Sequence, residues 1–170
     1  VVVDKDISPL ISTDMTRCIH CSRCVRFGEE ISNVKELGLL NRGEDMKIDV
    51  FIEGGVSSEL SANMIDLCPV GALNNKPYRY KARTWDLKQI CGISPHDCIG
   101  SNINYHIYNN KIVRSVPSEN PEINQTWLSD RDRFGYEGIY AKDRAEKTLM
   151  KVDSKLVEID SDIMPSQIND

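Results

Sequence analysis

Cys18-Ile19-His20-Cys21-Ser22-Arg23-Cys24, read together with Cys68-Pro69, decides how the chain is understood. Three thiols stand at i, i+3 and i+6, and a fourth follows far downstream, directly before a proline. Soft thiolates at this spacing select iron–sulfur clusters or zinc.

The run can be compared with C-x2-C-x2-C-x3-C-P, in which the cysteine before proline ligates the other cluster of a pair. Here the fourth place of the first run is Gly28, followed by Glu29. Residues Ser57 to Leu67, upstream of Cys68, contain no cysteine to make a second triple. Half of each motif remains, and the halves complement each other. Cys18, Cys21, Cys24 and Cys68 make one four-thiolate site, filled best by one 4Fe–4S cluster. Two alternatives stay open. Structural zinc usually takes two separated ligand pairs, which a run of three plus a lone Cys-Pro fits poorly. Buried, unliganded thiols are the other, since free cysteine is among the most buried residue types.

The chain has 170 residues and a net charge of −5, with 40% hydrophobic and 6% aromatic residues, which allows one ordinary domain or two small ones. Basic residues are interspersed with acids and form no stripe, so nucleic acid is not expected. The densest basic run, Arg79-Tyr80-Lys81-Ala82-Arg83, reads as a solvated loop or salt-bridged surface. No stretch approaches the roughly 18 apolar residues of a membrane span, and no signal peptide opens the chain. A metal pattern of cysteines, rather than a disulfide framework, points to a reducing compartment. Val1 in place of Met suggests a processed or excised piece.

Along the chain, Ser12-Thr13-Asp14 offers helix caps before the cysteine run, with Ile11 and Met15 as apolar contacts beneath the site. Cys24, Phe27 and Ile31 share one face of a helix that begins at the cysteines. Its N-terminal dipole suits an anionic cluster. His20 reads as a neighbour or surface group. Leu37 to Gly43 reads as a loop, and Met46 to Ile52 as a strand. Ser57 opens a helix with Leu60, Met64 and Leu67 on its apolar face, ending at Cys68-Pro69. Val70-Gly-Ala-Leu73 reads as a tight apolar turn covering the site, and Ile19, Val70 and Leu73 are candidates for its apolar shell, with plain core residues as the alternative. Asn74-Asn75-Lys76-Pro77 reads as a breaker, with a domain boundary between 74 and 90. Ile103–Tyr108 and Lys111–Val116 flank Asn109-Asn110 as a hairpin. Pro117 to Pro121 is a loop, and Trp127 to Ile139 starts as a turn and ends helical. Thr148–Val152 and Lys155–Ile159 make a second hairpin candidate around Asp153-Ser154.

Five stretches carry a resemblance. They are Asp14 to Glu30 around the three cysteines, Glu36-Leu-Gly-Leu39, Asp66-Leu-Cys-Pro-Val-Gly-Ala-Leu73, Lys76-Pro-Tyr-Arg79 and Arg83-Thr-Trp-Asp-Leu87. Together they closely resemble the large iron–sulfur subunits of NADH–quinone oxidoreductase, respiratory complex I. The resemblance implies that Cys18, Cys21, Cys24 and Cys68 hold one 4Fe–4S cluster of the wire from flavin to quinone. It implies an internal fragment, with a 2Fe–2S domain and a further 4Fe–4S site only in upstream sequence. Ser94 to Asn102 and Trp127 to Tyr136 look like the start of molybdopterin oxidoreductases. Some relatives bind an extra cluster there, at the places of Ser94, Asp97, Ser101 and Ser129. None of these is cysteine, so that site is expected to be empty, and Cys91 and Cys98 read as ordinary thiols.

The expected fold class is α+β. A ferredoxin-like 4Fe–4S domain (1–80) precedes a small β domain like the N-terminal part of molybdopterin oxidoreductases (81–140) and the start of a large domain (141–170). The resemblance implies other peripheral-arm subunits as partners, including the flavin- and NADH-binding subunit. It places the chain at the cytoplasmic face of a bacterial inner membrane or the matrix face of a mitochondrial one. No independent active site is expected. His20, His96 and His106 are the only histidines, and Gly-x-Gly-x-x-Gly is absent, so the chain itself should bind no NADH. The runners-up are a zinc-filled or apo docking module and the front end of a formate dehydrogenase or iron hydrogenase. Formate dehydrogenases normally keep the cysteines missing at Ser94, Asp97, Ser101 and Ser129.

Overall fold

The computed structural model describes residues 4, 6–51, 54–145, 147–152 and 155–158. Contacts divide the chain into two units, Val1–Tyr136 and Glu137–Asp170.

The first unit starts with strand β1 (Ile11–Thr13), a 3-10 turn (Met15–Arg17) and helix α1 (Arg23–Glu30). A hairpin of β2 (Leu37–Leu40) and β3 (Lys47–Val50) follows, then the short helix α2 (Asn63–Leu67) and strand β4 (Leu73–Asn75). β1 and β4 pair antiparallel, Ile11 opposite Asn75 and Thr13 opposite Leu73. Ile7, Ile11, Phe27, Leu37, Ile48, Val56, Met64 and Leu73 form the core, with Cys24 among them. Phe27 packs against Trp127 with ring centroids 5.1 Å apart and the planes tilted by 49°.

Four local expectations need correction. Leu37–Leu40 is a strand, not a loop. Gly38 is accommodated in it because the Phe51 ring lies where a side chain would stand. Helix does not begin at Ser57. The Glu36 carboxylate accepts from Ser57 N, Ser57 Oγ and Ser58 N at 2.9, 2.7 and 3.4 Å, which holds that segment in a turn until Asn63. Asn74 and Asn75 are strand residues, and the chain turns after them, where Asn75 Oδ1 accepts from Tyr78 N. Ser12 and Thr13 likewise lie in β1, and Asp14 makes no side-chain cap.

In α1, Cys24 and Phe27 are buried as their spacing predicts, but Ile31 is 46% exposed. Gly28 takes the buried place because the chain doubles back over it. Val34 N donates to Gly28 O at 2.8 Å, and a Cβ on Gly28 would lie 2.9 Å from Val34 O. Gly28→Ala is therefore expected to cost about 1–3 kcal/mol by overpacking, measurable by denaturant unfolding.

Further along lies a three-stranded antiparallel sheet of β5 (Lys88–Ile93), β6 (Asn102–Tyr108) and β7 (Lys111–Pro117), with β5 and β7 as its edges. Asn109 and Asn110, at φ 48° and 59°, form the expected primed turn between β6 and β7. Helix α3 (Asp130–Phe134) is capped by Ser129, whose Oγ accepts from Asp132 N. Tyr136 Oη donates to Val113 O at 2.7 Å.

The second unit contains the expected hairpin, β8 (Leu149–Val152) paired with β9 (Lys155–Glu158). The turn at Asp153-Ser154, Ile159, and the polar stretch 161–170 lie outside the described residues, as does Ile52 of the expected third strand.

Candidate metal centre

The β1–β4 ladder explains how two distant parts of the sequence meet. β1 leads into Cys18, and β4 follows directly from Cys68, so pairing them carries the two cysteine segments to one end of the ladder. Asp14 N extends the clamp by donating to Ala72 O at 2.8 Å.

Each cysteine is then placed by local backbone. Cys18 closes the 3-10 turn, its N–H donating to Met15 O. His20 and Ser22 both take the left-handed conformation, φ 54° and 58°, so the backbone curls on either side of Cys21. Turns of this kind present successive N–H groups to a concavity that favours anions. Cys24 lies in the first turn of α1, near the positive end of its dipole. Cys68 terminates α2, with its N–H on Met64 O and an extended backbone before Pro69. Gly71, at φ 67°, then reverses the chain into β4.

All four cysteines line one concavity, with about 370 Å³ of free space counted to its open mouth. Its walls are apolar. Met15, Ile19, Val70 and Leu73 are there, as the sequence leads one to expect. Ile11 sits instead in the core. Ala72 joins Val70 and Leu73 from the same apolar turn, while Ile48 and Arg23 also line the concavity and are not identifiable from the sequence pattern. Ile48 arrives on β3, whose alternation marks a buried face without saying what that face covers.

Cys24 is buried, the other three half-buried. Burial pushes the Cys24 thiol up to about 11, and negative charge on Cys18 and Cys21 adds to the effect. Four cysteine sulfurs thus converge on an apolar wall, and taking the proton from the buried one is costly without a cation beside it, an arrangement that fits a cationic metal core. Among the described residues, no three His, Cys, Asp or Glu side chains are grouped to hold a single metal ion. His20 is exposed and does not line the concavity.

One consequence can be checked on metal-free protein. The thiolate is the nucleophile, so iodoacetamide near neutral pH is expected to label the exposed Cys91 and Cys98 first and Cys24 last. Peptide mass spectrometry over time gives the order.

Ser94, Asp97, Ser101 and Ser129 lie elsewhere, tied together by hydrogen bonds. Ser94 Oγ and Ser129 Oγ both donate to the buried Asp132 carboxylate at 2.5 Å. Asp97 accepts from Gly100 N and Ser101 N. A slight burial cost at Asp97 is outweighed by hydrogen bonds from Ser101 and neighbouring amides, which hold its carboxyl below the ordinary range. Asp97, Ser101 and Ser129 border an open cleft with Trp127 and Cys98. Cys91 lies on β5 and Cys98 in the loop before β6; both are outside the cysteine-lined concavity.

The residues that build this concavity match a ferredoxin-like domain. The ferredoxin-like domain model of NADH-quinone oxidoreductase subunit 3 matches residues 8–74, which include all four clustered cysteines. A second model, the 4Fe-4S domain of NADH-ubiquinone oxidoreductase NDSU1/NuoG-like proteins, matches residues 87–137. The G subunit of the NADH-quinone oxidoreductase of Rickettsia typhi is 47% identical over 93% of this chain and 23% of its own length. The NADH-ubiquinone oxidoreductase 75 kDa subunit of Reclinomonas americana is 49% identical over 81% of this chain and 20% of its own length. The mitochondrial NADH dehydrogenase [ubiquinone] iron-sulfur protein 1 of Solanum tuberosum is 49% identical over 81% of this chain and 19% of its own length. The chain belongs to this family, the large iron–sulfur (G or 75 kDa) subunits of NADH–quinone oxidoreductase. It spans about a fifth to a quarter of the length of these relatives. Among the described residues, no helix is long and apolar enough to cross a membrane.

Proposed function

We propose that this chain is an electron-transfer part of an NADH–quinone oxidoreductase, holding one 4Fe–4S cluster on Cys18, Cys21, Cys24 and Cys68. The reading rests on one observation above all: these four thiols, from two distant segments, line the same apolar concavity. It is supported by the ferredoxin-like match over the same residues. A run of three cysteines plus a lone Cys-Pro, rather than two separated ligand pairs, favours a multi-iron group over zinc.

When bound, such a cluster accepts and releases one electron at a time, at a potential set by hydrogen bonds, charge and solvent exposure. The chain's own residues supply those settings. Ile19, Val70 and Leu73 limit water on the walls, Arg23 brings a positive charge to the rim, and the Ile19–Arg23 backbone offers N–H donors. Electrons would pass from the NADH and flavin side towards quinone, with neighbouring peripheral subunits as donor and acceptor. NADH oxidation itself belongs to the complex, on the cytoplasmic or matrix face of its membrane.

We read 1–80 as the ferredoxin-like domain, 81–140 as a β domain resembling the molybdopterin oxidoreductases, and 141–170 as the start of a larger one. The Ser94, Asp97, Ser101 and Ser129 positions hold no second cluster in this reading; the Asp132 carboxylate binds two of the hydroxyls instead. Anaerobically purified protein should be brown, with visible absorbance that dithionite bleaches. A colourless protein containing zinc would replace this reading with a structural docking module.

A further inference from the structure

We propose that residues 76–88 form a docking surface for an acidic, extended segment of a partner protein. Tyr80 is 90% exposed and Trp85 80% exposed, on a segment braced by its own hydrogen bonds. Tyr78 Oη donates to Ala82 O at 2.9 Å, Arg79 N to Asn75 O and Lys81 N to Tyr78 O. The Tyr78 ring packs under the Arg114 guanidinium, 4.5 Å from its centroid, and Arg114 Nε in turn donates to His106. Within this brace Tyr80 takes φ 68°, a left-handed backbone unusual for a bulky residue. Strain of that kind persists only where the surroundings enforce it, and it is concentrated at functional positions. The braced backbone holds a large aromatic side chain out in water rather than folded away.

The charge of the surface indicates what it receives. Lys76, Arg79, Lys81, Arg83 and Lys88 against Asp86 give +4, so the rest of the chain carries −9 of the total −5. Lys76 pairs with Asp6 and Arg79 with Asp14. Lys81, Arg83 and Lys88 have no carboxylate partner among the described residues. Arg83 lies over the Trp85 ring at 5.8 Å and Arg79 over Tyr80 at 4.8 Å. Arg79 is already engaged by Asp14 and Thr13 O, but Arg83, stacked in this way, keeps its N–H edge for a carboxylate. Exposed Tyr, Trp and Arg are the residue types that anchor protein interfaces. The loop leads directly into β5, an edge strand that carries the exposed Ile90 and Ile93 and whose outer backbone groups can pair with an extended peptide. Backbone pairing and a strongly negative remainder favour a protein segment over a nucleic acid or lipid surface.

The proposal rests on the chain being part of a larger assembly, and it does not depend on the metal centre. The test titrates the cluster-loaded full chain with a fluorescent peptide of alternating glutamate and valine. Saturable binding is expected, absent for the lysine–valine counterpart. Trp85→Ala and the pair Lys81→Glu with Arg83→Glu should each weaken it about tenfold or more. The cluster's absorbance should stay unchanged in these variants, so loss of docking is read separately from loss of the centre. The proposal is overturned if the peptide does not bind or if charge reversal leaves its affinity unchanged. It is equally overturned if oligothymidylate or phosphatidylglycerol vesicles bind in the peptide's place, or if the variants abolish only self-association.

Discussion

Cys68→Ala is expected to abolish the iron–sulfur centre, while Cys98→Ala leaves it intact. Cys68 is the only thiol of the concavity that comes from the second half of the motif, at the end of α2. Cys18, Cys21 and Cys24 come from one continuous segment, the curled loop and the first turn of α1, so without Cys68 the side of the space beside Pro69 has no ligand. No other cysteine can stand in, since Cys91 and Cys98 do not reach the concavity. Iron and visible absorbance should fall to near background in the first variant and match the wild type in the second. Equal bleaching by both would mean that the ligand set is wrong.

Arg133→Ala is expected to destabilise the protein by roughly 3 kcal/mol, or about 10 °C in Tm, as a buried partner is lost and a cavity opens. Arg133 is 1% exposed, and its Nη2 donates to Asn63 Oδ1 at 3.1 Å and to Asp66 Oδ2 at 2.7 Å. Both acceptors lie on α2, the helix that delivers Cys68. The same junction is latched by Asp130, which accepts from Ser61 Oγ and Ala62 N at 2.6 and 2.9 Å. Burial raises the Asp130 pKa, against the pull of those hydrogen bonds. Loosening α3 from α2 should therefore speed cluster loss in mild denaturant as well as lower Tm. Arg131→Ala, on the exposed side of α3, is the control and should stay within about 0.5 kcal/mol.

What could be read from the sequence depended on how local the cause was. The β6–β7 hairpin was legible because Asn109-Asn110 supplies its turn within the segment itself. The end of α2 at Cys68 was legible because Pro69 enforces it locally. β4 was not, since the partner of Asn74 and Asn75 lies about sixty residues upstream in β1. The delayed start of α2 was hidden for the same reason: it is imposed by Glu36, distant in sequence from Ser57. β5 lacks a buried face, so no alternation announces it, and its pairing with β6 defines it. The cysteine spacing pointed to the thiols of the site, but Ile48 enters its wall through strand pairing.

Iron, acid-labile sulfide and zinc counted per chain, on protein purified without oxygen, test the four-thiol centre most directly. About four iron and four sulfide with no zinc is the expected result for a single cubane. One zinc without sulfide, or a two-iron stoichiometry, would contradict it.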